Sequence, residues 1–226
     1  MSEKNHAFVI QQDGEDVERV EVADDLTARL EALVYLQLAS SSKDLMLLHA
    51  ASVVRSKNAV VLMGPSGAGK STLSLLSVQA GFRYLSDEFI WSDGHSLWGL
   101  PRSIQFDLRV DEPSKRPALF NSNRFVDRRM KDVHGQLATS PIYPLLDCEV
   151  ATMPVLPTQV HWVVIEQSKH TKLSPMKPLE MLAVIHEHAF IRPKCDIGQL
   201  IDVQHCSRLH WENPEHAVAL IKDWGK

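Results

Sequence analysis

Hydrophobic and polar positions alternate along the chain in segments that predict both strands and helices. Near the N-terminus, the runs 8–12 and 17–22 flank Asp13-Gly14, a dipeptide typical of a tight hairpin turn. A helix is predicted next, because apolar residues recur there at helical spacing. These residues are Leu26, Leu30, Leu33, Val34 and Leu38.

The central part of the chain predicts a pair of buried strands followed by a helix. The apolar runs 45–54 and 59–63 are separated only by Arg55-Ser-Lys-Asn58. A connection of about four residues joins antiparallel strands, since a parallel pair needs a crossover of a dozen or more residues. The segment 71–79 has the pattern of a helix that ends at Gly81.

The rest of the chain mixes strand and helix signals with a long irregular stretch. Residues 111–158 contain several prolines and few periodic runs, so this stretch is predicted to be mostly loop. Strands are predicted at 83–91, 96–100, 160–165 and 200–203, and helices at 179–190 and 214–224. The predicted fold is α/β, with a mixed, partly antiparallel sheet and flanking helices. We expect one domain over 1–226, comprising an N-terminal part (1–44), a central core (45–110) and a C-terminal part (111–226).

Composition and charge exclude several classes of protein. Of the 226 residues, 44% are hydrophobic and 23% are charged, as in ordinary globular domains. The net charge of −4 provides no basic field for a nucleic-acid backbone. Cys148, Cys195 and Cys206 form no CxxC pair, which favours a reducing compartment. No apolar run reaches the roughly 20 residues of a membrane span, and no signal-peptide pattern is present. The sequence therefore predicts a cytoplasmic protein.

The segment after the second central strand matches the phosphate-binding pattern G-x-x-x-x-G-K-[ST]. A strand precedes it and a helix follows, which is the context that the pattern requires. Glycines let successive backbone N–H groups turn inward at the positive end of the helix, so that they can bind an anion. Lys70 is expected to reach the β- and γ-phosphates, Ser71 to bind Mg²⁺ and Thr72 to contact an α-phosphate. The predicted nucleotide-binding residues are Gly64, Pro65, Ser66, Gly67, Ala68, Gly69, Lys70, Ser71 and Thr72.

Two adjacent acidic residues, Asp87 and Glu88, lie within the apolar run 83–91. Neighbouring residues of a strand face opposite sides, so only one of them is expected to point at the phosphates, and Asp87 is favoured. An alternative is that both lie at an exposed strand end. A carboxylate buried in a strand needs a metal ion or a cation to stay charged, which favours the functional interpretation.

The segment from His49 to about Phe106 resembles the catalytic core of HPr kinase/phosphorylase, a P-loop fold related to ATP-dependent phosphoenolpyruvate carboxykinase. Leu48-His49-Ala precedes Gly64 at the family spacing, and Gly81-Phe-Arg-Tyr-Leu-Ser-Asp-Glu88 is similar to a family pattern Gly-x-Arg-x-x-x-Asp-Asp. The antiparallel entry into the phosphate loop also agrees with this family. The close resemblance covers about a quarter of the chain.

This resemblance implies roles for individual residues. Lys70, Ser71 and Thr72 would bind Mg-ATP, and Asp87 would be the base that accepts the proton of a serine hydroxyl. Glu88 stands at the position of a second acid, so Ser71, Asp87 and Glu88 are the implied metal ligands. His49 would support the loop and the attacking group, although a core histidine at a strand end is an equally ordinary interpretation.

The chain departs from the family after the acidic residues. HPr kinases carry a Glu-Arg-Gly-rich signature there, whereas this chain has Leu97-Trp-Gly-Leu-Pro-Arg-Ser-Ile104, with Arg102 near the family position and no glutamate. Gly-Leu-Pro-Arg is more similar to smaller HPr-kinase-related proteins. The resemblance therefore implies a serine kinase without naming HPr as its substrate.

Two further groups of residues have functional and structural interpretations. The basic cluster Arg124, Arg128, Arg129 and Lys131 is either a clamp for a phosphate or an acidic peptide, or a solvated loop. The residues Cys195, His205, Cys206 and His210 match no common zinc spacing and favour C-terminal packing. His186 and His188 are two apart on a predicted helix and therefore face different directions.

The sequence thus predicts a Mg²⁺- and ATP-dependent kinase that phosphorylates a serine hydroxyl on a small protein or peptide. Asp87, Lys70, Arg102 and His49 are the predicted catalytic residues. Two alternatives are a kinase for a small metabolite and a regulatory module that binds ATP without transferring phosphate. A homo-oligomer is left open.

Overall fold

The chain folds into an α/β structure with mixed sheets. A computed structural model describes residues 8–12, 15–20, 26, 29–30, 33–35, 37, 45–106, 123–131, 137–191 and 205–224. The strands are β1 Phe8–Gln12, β2 Glu15–Val20, β3 Met46–His49, β4 Ala51–Arg55, β5 Asn58–Met63, β6 Arg83–Ser86, β7 Phe89–Ser92, β8 Leu97–Gly99, β9 Ile104–Gln105, β10 Val126–Lys131, β11 Leu137–Tyr143, β12 Val160–Gln167, β13 Lys172–Pro175, β14 Ala189–Ile191 and β15 Cys206–Trp211. The helices are α1 Lys70–Gln79, α2 Pro178–His188 and α3 Pro214–Trp224, and short 3₁₀ turns span Asp147–Glu149 and Pro157–Gln159.

The structure divides into two compact units, which are described separately. The first unit comprises Met1–Ser42 and Gln105–Pro144, and the second comprises Lys43–Ile104 and Leu145–Lys226. None of the helices in the described ranges is long and apolar enough to cross a membrane.

The first unit contains two antiparallel strand pairs. Strands β1 and β2 form the predicted hairpin, whose turn residues 13 and 14 lie outside the described residues. Leu26, Leu30, Leu33 and Val34 are helical, as predicted, and Leu38 lies outside the described residues. Strands β10 and β11 pair from Val126↔Ile142 to Lys131↔Leu137, so the prediction that 111–158 is mostly loop is wrong for these two segments. The pattern misleads because charged residues interrupt the apolar alternation of β10.

The second unit is built on a six-stranded sheet in the order β13-β15-β12-β5-β4-β6. Strands β5, β12 and β15 are parallel, whereas β4 and β5 are antiparallel, from Ala51↔Leu62 to Arg55↔Asn58. The antiparallel entry predicted from the length of the turn is therefore confirmed. The segments 59–63 of β5 and 162–165 of β12 are entirely apolar because both of their faces are buried.

Two hydrophobic cores enclose this sheet. One core contains Val60, Leu62, Leu73 and Ile221, so it joins the sheet to α1 and α3. The other contains Val61, Trp162, Met181 and Ile185, together with residues of β3 and β7, so it joins the sheet to α2 and to a second sheet. This second sheet has four strands in the order β14-β3-β7-β8.

Two segments of the chain each cross from one of these two sheets into the other, and the two crossing points are neighbours. Strand β3 becomes β4 across Ala50, and β6 becomes β7 across Asp87 and Glu88. Strands β4 and β6 pair in the six-stranded sheet, whereas β3 and β7 pair in the four-stranded sheet. At the junction, the backbone N–H of Ala50 donates to the carbonyl of Glu88 at 3.2 Å. We call this junction the fork.

The fork corrects the expectations for two strands. The runs 45–54 and 83–91 were each predicted as one strand, but each is two strands that belong to different sheets. The apolar pattern continues across the points where one strand ends and the next begins, so the sequence does not reveal these points. At the C-terminus, the predicted strand 200–203 lies outside the described residues, and the strand β15 was not predicted.

Candidate functional site

The site begins with the glycine-rich loop between β5 and α1. Gly67 and Gly69 have φ angles of +80° and +96°, in the left-handed region that favours glycine. A β-carbon at Gly69 would also lie 2.2 Å from Cζ2 of Trp211. Residues 65–67 are exposed, whereas Ala68 and Lys70 are buried, so the tip of the loop is open to solvent while its base is packed.

Two side chains from neighbouring strands fix the backbone of this loop. The indole Nε1–H of Trp211, at the end of β15, donates to the carbonyl of Ala68 at 3.1 Å. The amide of Gln167, at the end of β12, donates to the carbonyl of Gly67 at 3.2 Å. Local sequence patterns do not reveal these two contacts, because the approach of Gln167 and Trp211 to the loop depends on how β12 and β15 align with β5.

Lys70 is buried at the start of α1 with its ammonium group directed into the loop. Its Nζ donates to the carbonyls of Gly64 at 2.8 Å and Pro65 at 3.3 Å. Burial lowers the pKa of Lys70, and the nearby Glu88 and Asp87 carboxylates oppose this effect. The first turn of α1 contains no acidic residue that would compete with an anion at the helix N-terminus. The loop, the helix terminus and Lys70 thus form a cradle suited to phosphate.

Asp87 lies beside this cradle and is only 4% exposed. Its two carboxylate oxygens have different partners. Oδ2 accepts a hydrogen bond from the Ser71 hydroxyl at 3.3 Å. Oδ1 accepts one from the Tyr84 hydroxyl at 2.6 Å and one from Arg102 Nε at 3.4 Å. Sequence analysis did not single out Tyr84, although it lies only three residues before Asp87.

Glu88 and Asp87 share one arginine. Arg102 Nη2 lies 2.6 Å from Glu88 Oε2, while Arg102 Nε contacts Asp87. Burial raises the pKa of Glu88, Arg102 opposes this effect and the Asp87 charge adds to it. The two acids were expected on opposite faces of one strand. They lie instead in the fork, between the end of β6 and the start of β7. Because neither belongs to a strand, their side chains need not point to opposite faces, and both contact Arg102.

His49 is at the end of β3, on the other side of Glu88. Its Nε2 lies 4.0 Å from Glu88 Oε1. Burial lowers the pKa of His49 to about 4, and the charges of Lys70 and His188 contribute in the same direction. A neutral imidazole forms no ion pair, so the contact with Glu88 is polar but uncharged at neutral pH.

His188, at the end of α2, is a further member of this cluster that sequence analysis did not identify. Its ring centroid is 6.4 Å from that of His49, and its pKa is lowered first by burial and then by Lys70. His186 is exposed on the same helix, as expected from a spacing of two residues. The rings of Phe89 and Phe190 complete the surroundings of His49, at 6.2 and 5.8 Å.

The structure thus brings together six of the residues singled out in the sequence: Lys70, Ser71, Asp87, Glu88, Arg102 and His49. Thr72 lies in the first turn of α1. Within the described ranges, no three His, Cys, Asp or Glu side chains are grouped as a metal site. Ser71, Asp87 and Glu88 nevertheless offer oxygen ligands, which Mg²⁺ prefers, and proteins often hold Mg²⁺ through one or two carboxylates together with substrate phosphates.

The other residue groups singled out in the sequence lie elsewhere. In the first unit, Arg124 donates to the carbonyl of Pro144 at 2.8 Å and lies 4.3 Å above the ring of Tyr143, so it packs within that unit. Arg128, Arg129 and Lys131 belong to β10 and not to a loop. Cys195 lies outside the described residues, Cys206 is buried in the core, and His210 approaches Glu166 at 3.8 Å.

Comparisons with known proteins find a distant likeness among solved structures. No family model matches the chain, and no curated protein matches it. Among solved structures, the Hpr(Ser) kinase/phosphatase from Coxiella burnetii is similar to it, at 17% sequence identity and a TM-score of 0.34. The alignment covers 79% of this chain and 95% of that chain. A likeness at this TM-score assigns neither fold nor function, so the family resemblance of the motifs stays a hypothesis.

Proposed function

We propose that this protein is a Mg²⁺- and ATP-dependent kinase that phosphorylates a serine hydroxyl on a small protein or peptide. One observation carries the proposal: a buried carboxylate, Asp87, adjoins the phosphate cradle through the 3.3 Å contact of its Oδ2 with Ser71. Phosphoryl transfer needs a phosphate cradle, a group that accepts the hydroxyl proton, and cations that balance the charge on the transferring group. Lys70, Asp87 and Arg102 match these needs.

In the proposed reaction, the acceptor oxygen attacks the γ-phosphorus of ATP in line with the departing ADP. The O–H proton passes to Asp87 Oδ2, the new O–P bond forms, and the bond between the γ-phosphorus and the bridging oxygen breaks. Tyr84 and Arg102 hold Oδ1, so that Oδ2 is the oxygen left to accept the proton. Lys70 exchanges its backbone carbonyl partners for phosphate oxygens.

The residues present fit a bound Mg²⁺. Ser71, Asp87 and Glu88 would hold it together with oxygens of the nucleotide, and the ion would neutralise phosphate charge during transfer. The neutral His49 would lie next to Glu88 as a hydrogen-bonding partner for the acceptor or for a phosphate oxygen.

A kinase for a small metabolite is the second candidate. It is favoured by a cleft of about 390 Å³ beside Arg102, a volume at the lower end of the range of small-molecule sites. In this case the same loop and carboxylates would transfer the phosphoryl group to a small alcohol. The two candidates differ only in the molecule that receives the phosphate.

The direct test follows the γ-phosphate. The protein is incubated with γ-labelled ATP, Mg²⁺ and native lysate, and labelled proteins and metabolites are separated. Lys70→Ala is expected to lose nucleotide binding and transfer, whereas Lys57→Ala, in an exposed turn, should retain both. Asp87→Asn should bind nucleotide normally and lose transfer by about 10²–10⁴-fold, the usual contribution of a general base.

The matched control for Asp87→Asn is Glu180→Gln, a change at an exposed acid on α2. Wild-type turnover by Asp87→Asn would rule out Asp87 as the base. Tight nucleotide binding without transfer to any acceptor would instead indicate a regulatory ATP-binding module.

A further inference from the structure

The glycine-rich loop has a backbone that can rearrange easily at its tip. Gly67 and Gly69 lie on either side of Ala68, with φ angles of +80° and +96°. Glycine adopts positive and negative φ about equally well, so the two peptide planes between these residues can turn over at little energetic cost. A turned plane would present a carbonyl in place of an N–H, and a carbonyl repels phosphate. Contacts from elsewhere in the molecule therefore decide how often the loop has its anion-binding form.

Gln167 and Trp211 approach this loop together. They are partners at the last register position of the parallel pair β12 and β15. Side chains alternate along a strand, so both residues point to the same face as Ile165 and Leu209, which pack in the core with α1 and α3. The Ser168 N–H donates to the Trp211 carbonyl at 2.9 Å and so ties the two strand ends to each other. We call the side chains of Gln167 and Trp211 the brace.

The brace contacts each of the two peptide planes at its carbonyl. Gln167 Nε2 donates to the carbonyl of Gly67 at 3.2 Å, and Trp211 Nε1 donates to the carbonyl of Ala68 at 3.1 Å. The C=O and N–H of a trans peptide point in opposite directions, so each bond also fixes the direction of the next N–H. The Ala68 N–H donates to the Pro65 carbonyl at 3.1 Å within the loop. The N–H that follows the Ala68 carbonyl is directed away from the indole.

The ring of Trp211 adds a steric restraint to its hydrogen bond. Trp211 is 7% exposed, and its Cζ2 would lie 2.2 Å from a β-carbon at Gly69. The ring therefore covers Gly69 closely and leaves little room for the loop to rearrange on that side. Gln167 is exposed, so its hydrogen bond competes with water and contributes less than that of the buried indole.

We infer that Trp211 and Gln167 are positioning residues, which hold the glycine-rich loop in its anion-binding form before a nucleotide arrives. This inference rests on the nucleotide binding that the proposed function assigns to the loop. A loop that already has its bound form loses less conformational entropy on binding, so its affinity is higher. Without the brace, only a fraction of the molecules present the binding form, and the apparent Kd rises in inverse proportion to that fraction. ATP and ADP are affected alike, because both place phosphates in the loop.

The first test removes each donor and keeps a side chain of similar shape. Calorimetric titration with Mg-ATP and with Mg-ADP measures the Kd of Trp211→Phe and Gln167→Met. We expect Kd to rise about tenfold for Trp211→Phe and about threefold for Gln167→Met, within the usual contribution of a hydrogen bond. The matched controls are Trp224→Phe, in the same core but beside His161 at the other end of β12, and Gln79→Met, at the exposed end of α1. Both controls should leave Kd unchanged.

A spectroscopic measurement separates positioning from a general loss of structure. The protein is labelled with 5-fluorotryptophan, and the ¹⁹F resonance of Trp211 is assigned by its absence in Trp211→Phe. In Gln167→Met this resonance should broaden without nucleotide and sharpen with Mg-ADP, because the loop then exchanges between forms of which ADP selects one. In Gln79→Met it should stay sharp in both states. If Trp211→Phe fails to fold, the titrations of Gln167→Met still decide, since Gln167 is exposed.

The outcomes separate this inference from the proposed function. Unchanged Kd in both brace variants, with tight binding by the wild type, would overturn the brace and spare the kinase. Equal rises in the brace variants and their controls, or a Trp211 resonance that stays sharp in Gln167→Met, would also overturn the brace. Weaker binding in the brace variants alone, without transfer to any acceptor, would support the brace and overturn the kinase. If the wild type binds neither nucleotide, both proposals are wrong.

Discussion

The hydroxyl of Tyr84 donates a 2.6 Å hydrogen bond to Asp87 Oδ1, and both groups are buried. The bond fixes one oxygen of the carboxylate and leaves the other toward Ser71. Tyr84 thereby positions Asp87, and it ties the orientation of the proposed base to the pairing of β6 with β4.

Tyr84→Phe should lower kcat by about 10- to 100-fold, because a hydrogen bond to a charged group contributes about 1.5–3 kcal/mol. The Kd for Mg-ATP should change much less, since the hydrogen bond that is lost goes to Asp87 Oδ1. Steady-state kinetics and calorimetric titration measure the two quantities. Tyr143→Phe, a buried tyrosine of the first unit, is the matched control. Equal losses in kcat and in ATP binding would indicate a structural role for Tyr84 instead.

Gly69 and Gly67 offer a paired test of the loop. Both have positive φ, so alanine strains the backbone at either position by roughly 1–2 kcal/mol. Only at Gly69 would the new methyl group meet Trp211, at 2.2 Å, whereas a β-carbon at Gly67 meets nothing within 4 Å. Gly69→Ala should therefore weaken ATP binding much more than Gly67→Ala does, and titration with ATP measures both effects. Equal effects would mean that Trp211 does not constrain the loop.

His161 is expected to make the protein less stable in mild acid. It is 3% exposed, its Nε2 contacts Ser207 Oγ at 2.8 Å, and its ring packs 4.6 Å from Trp224. Burial, with a contribution from His205, lowers the pKa of His161 from 6.5 to about 4. The unfolded chain binds the proton first, so stability falls as the pH drops from about 6.5 to about 4, by roughly 3 kcal/mol in total.

Urea unfolding at pH 7, 6 and 5 measures this dependence. His161→Gln should flatten it, whereas His216→Gln, at an exposed histidine of α3, should not. An unchanged slope in His161→Gln would exclude His161 as its source.

Removal of Arg102 should destabilise the second unit in a way that depends on pH. Arg102→Ala leaves Asp87 buried without its cation, and breaking such a pair costs about 3–5 kcal/mol. Arg102 is also the main group that opposes the upward shift in the pKa of Glu88. In Arg102→Ala the pKa of Glu88 rises further, so the loss of folding stability relative to wild type should grow as the pH increases. Chemical denaturation at pH 5 and pH 8 tests this, and a smaller loss at pH 8 would contradict it.

Local patterns predicted the strand, the glycine-rich turn and the helix that follow one another at residues 58–79. The spacing of Gly64, Gly69 and Lys70 predicts a cradle by itself, because these residues are neighbours along the chain. The four-residue turn before β5 predicts an antiparallel pair for the same reason, and the structure confirms it. Helix α3 was also predicted with its observed bounds, since its apolar residues recur at helical spacing.

Contacts between distant segments could not be predicted in this way. Trp211 reaches Ala68 only because β15 aligns with β12 and β12 with β5. His188 meets His49 because α2 packs near β3, and this proximity leaves no trace in local spacing. The break at Asp87 was missed because the residues on both sides of it are equally apolar, so the run looks like one strand.

The fork has a consequence for how the chemistry of this protein can be altered. Asp87 and Glu88 lie between two strands and outside either, so their side chains are not committed to an inward or outward face of a sheet. Residues inside a strand cannot be exchanged freely, because each faces a packed core or a neighbouring strand. The acidic pair is held instead by the side chains of Tyr84 and Arg102. A change in its number of charges, and with it the kind of metal ion or acceptor it suits, therefore calls for a matching change at those two side chains and not in the strands.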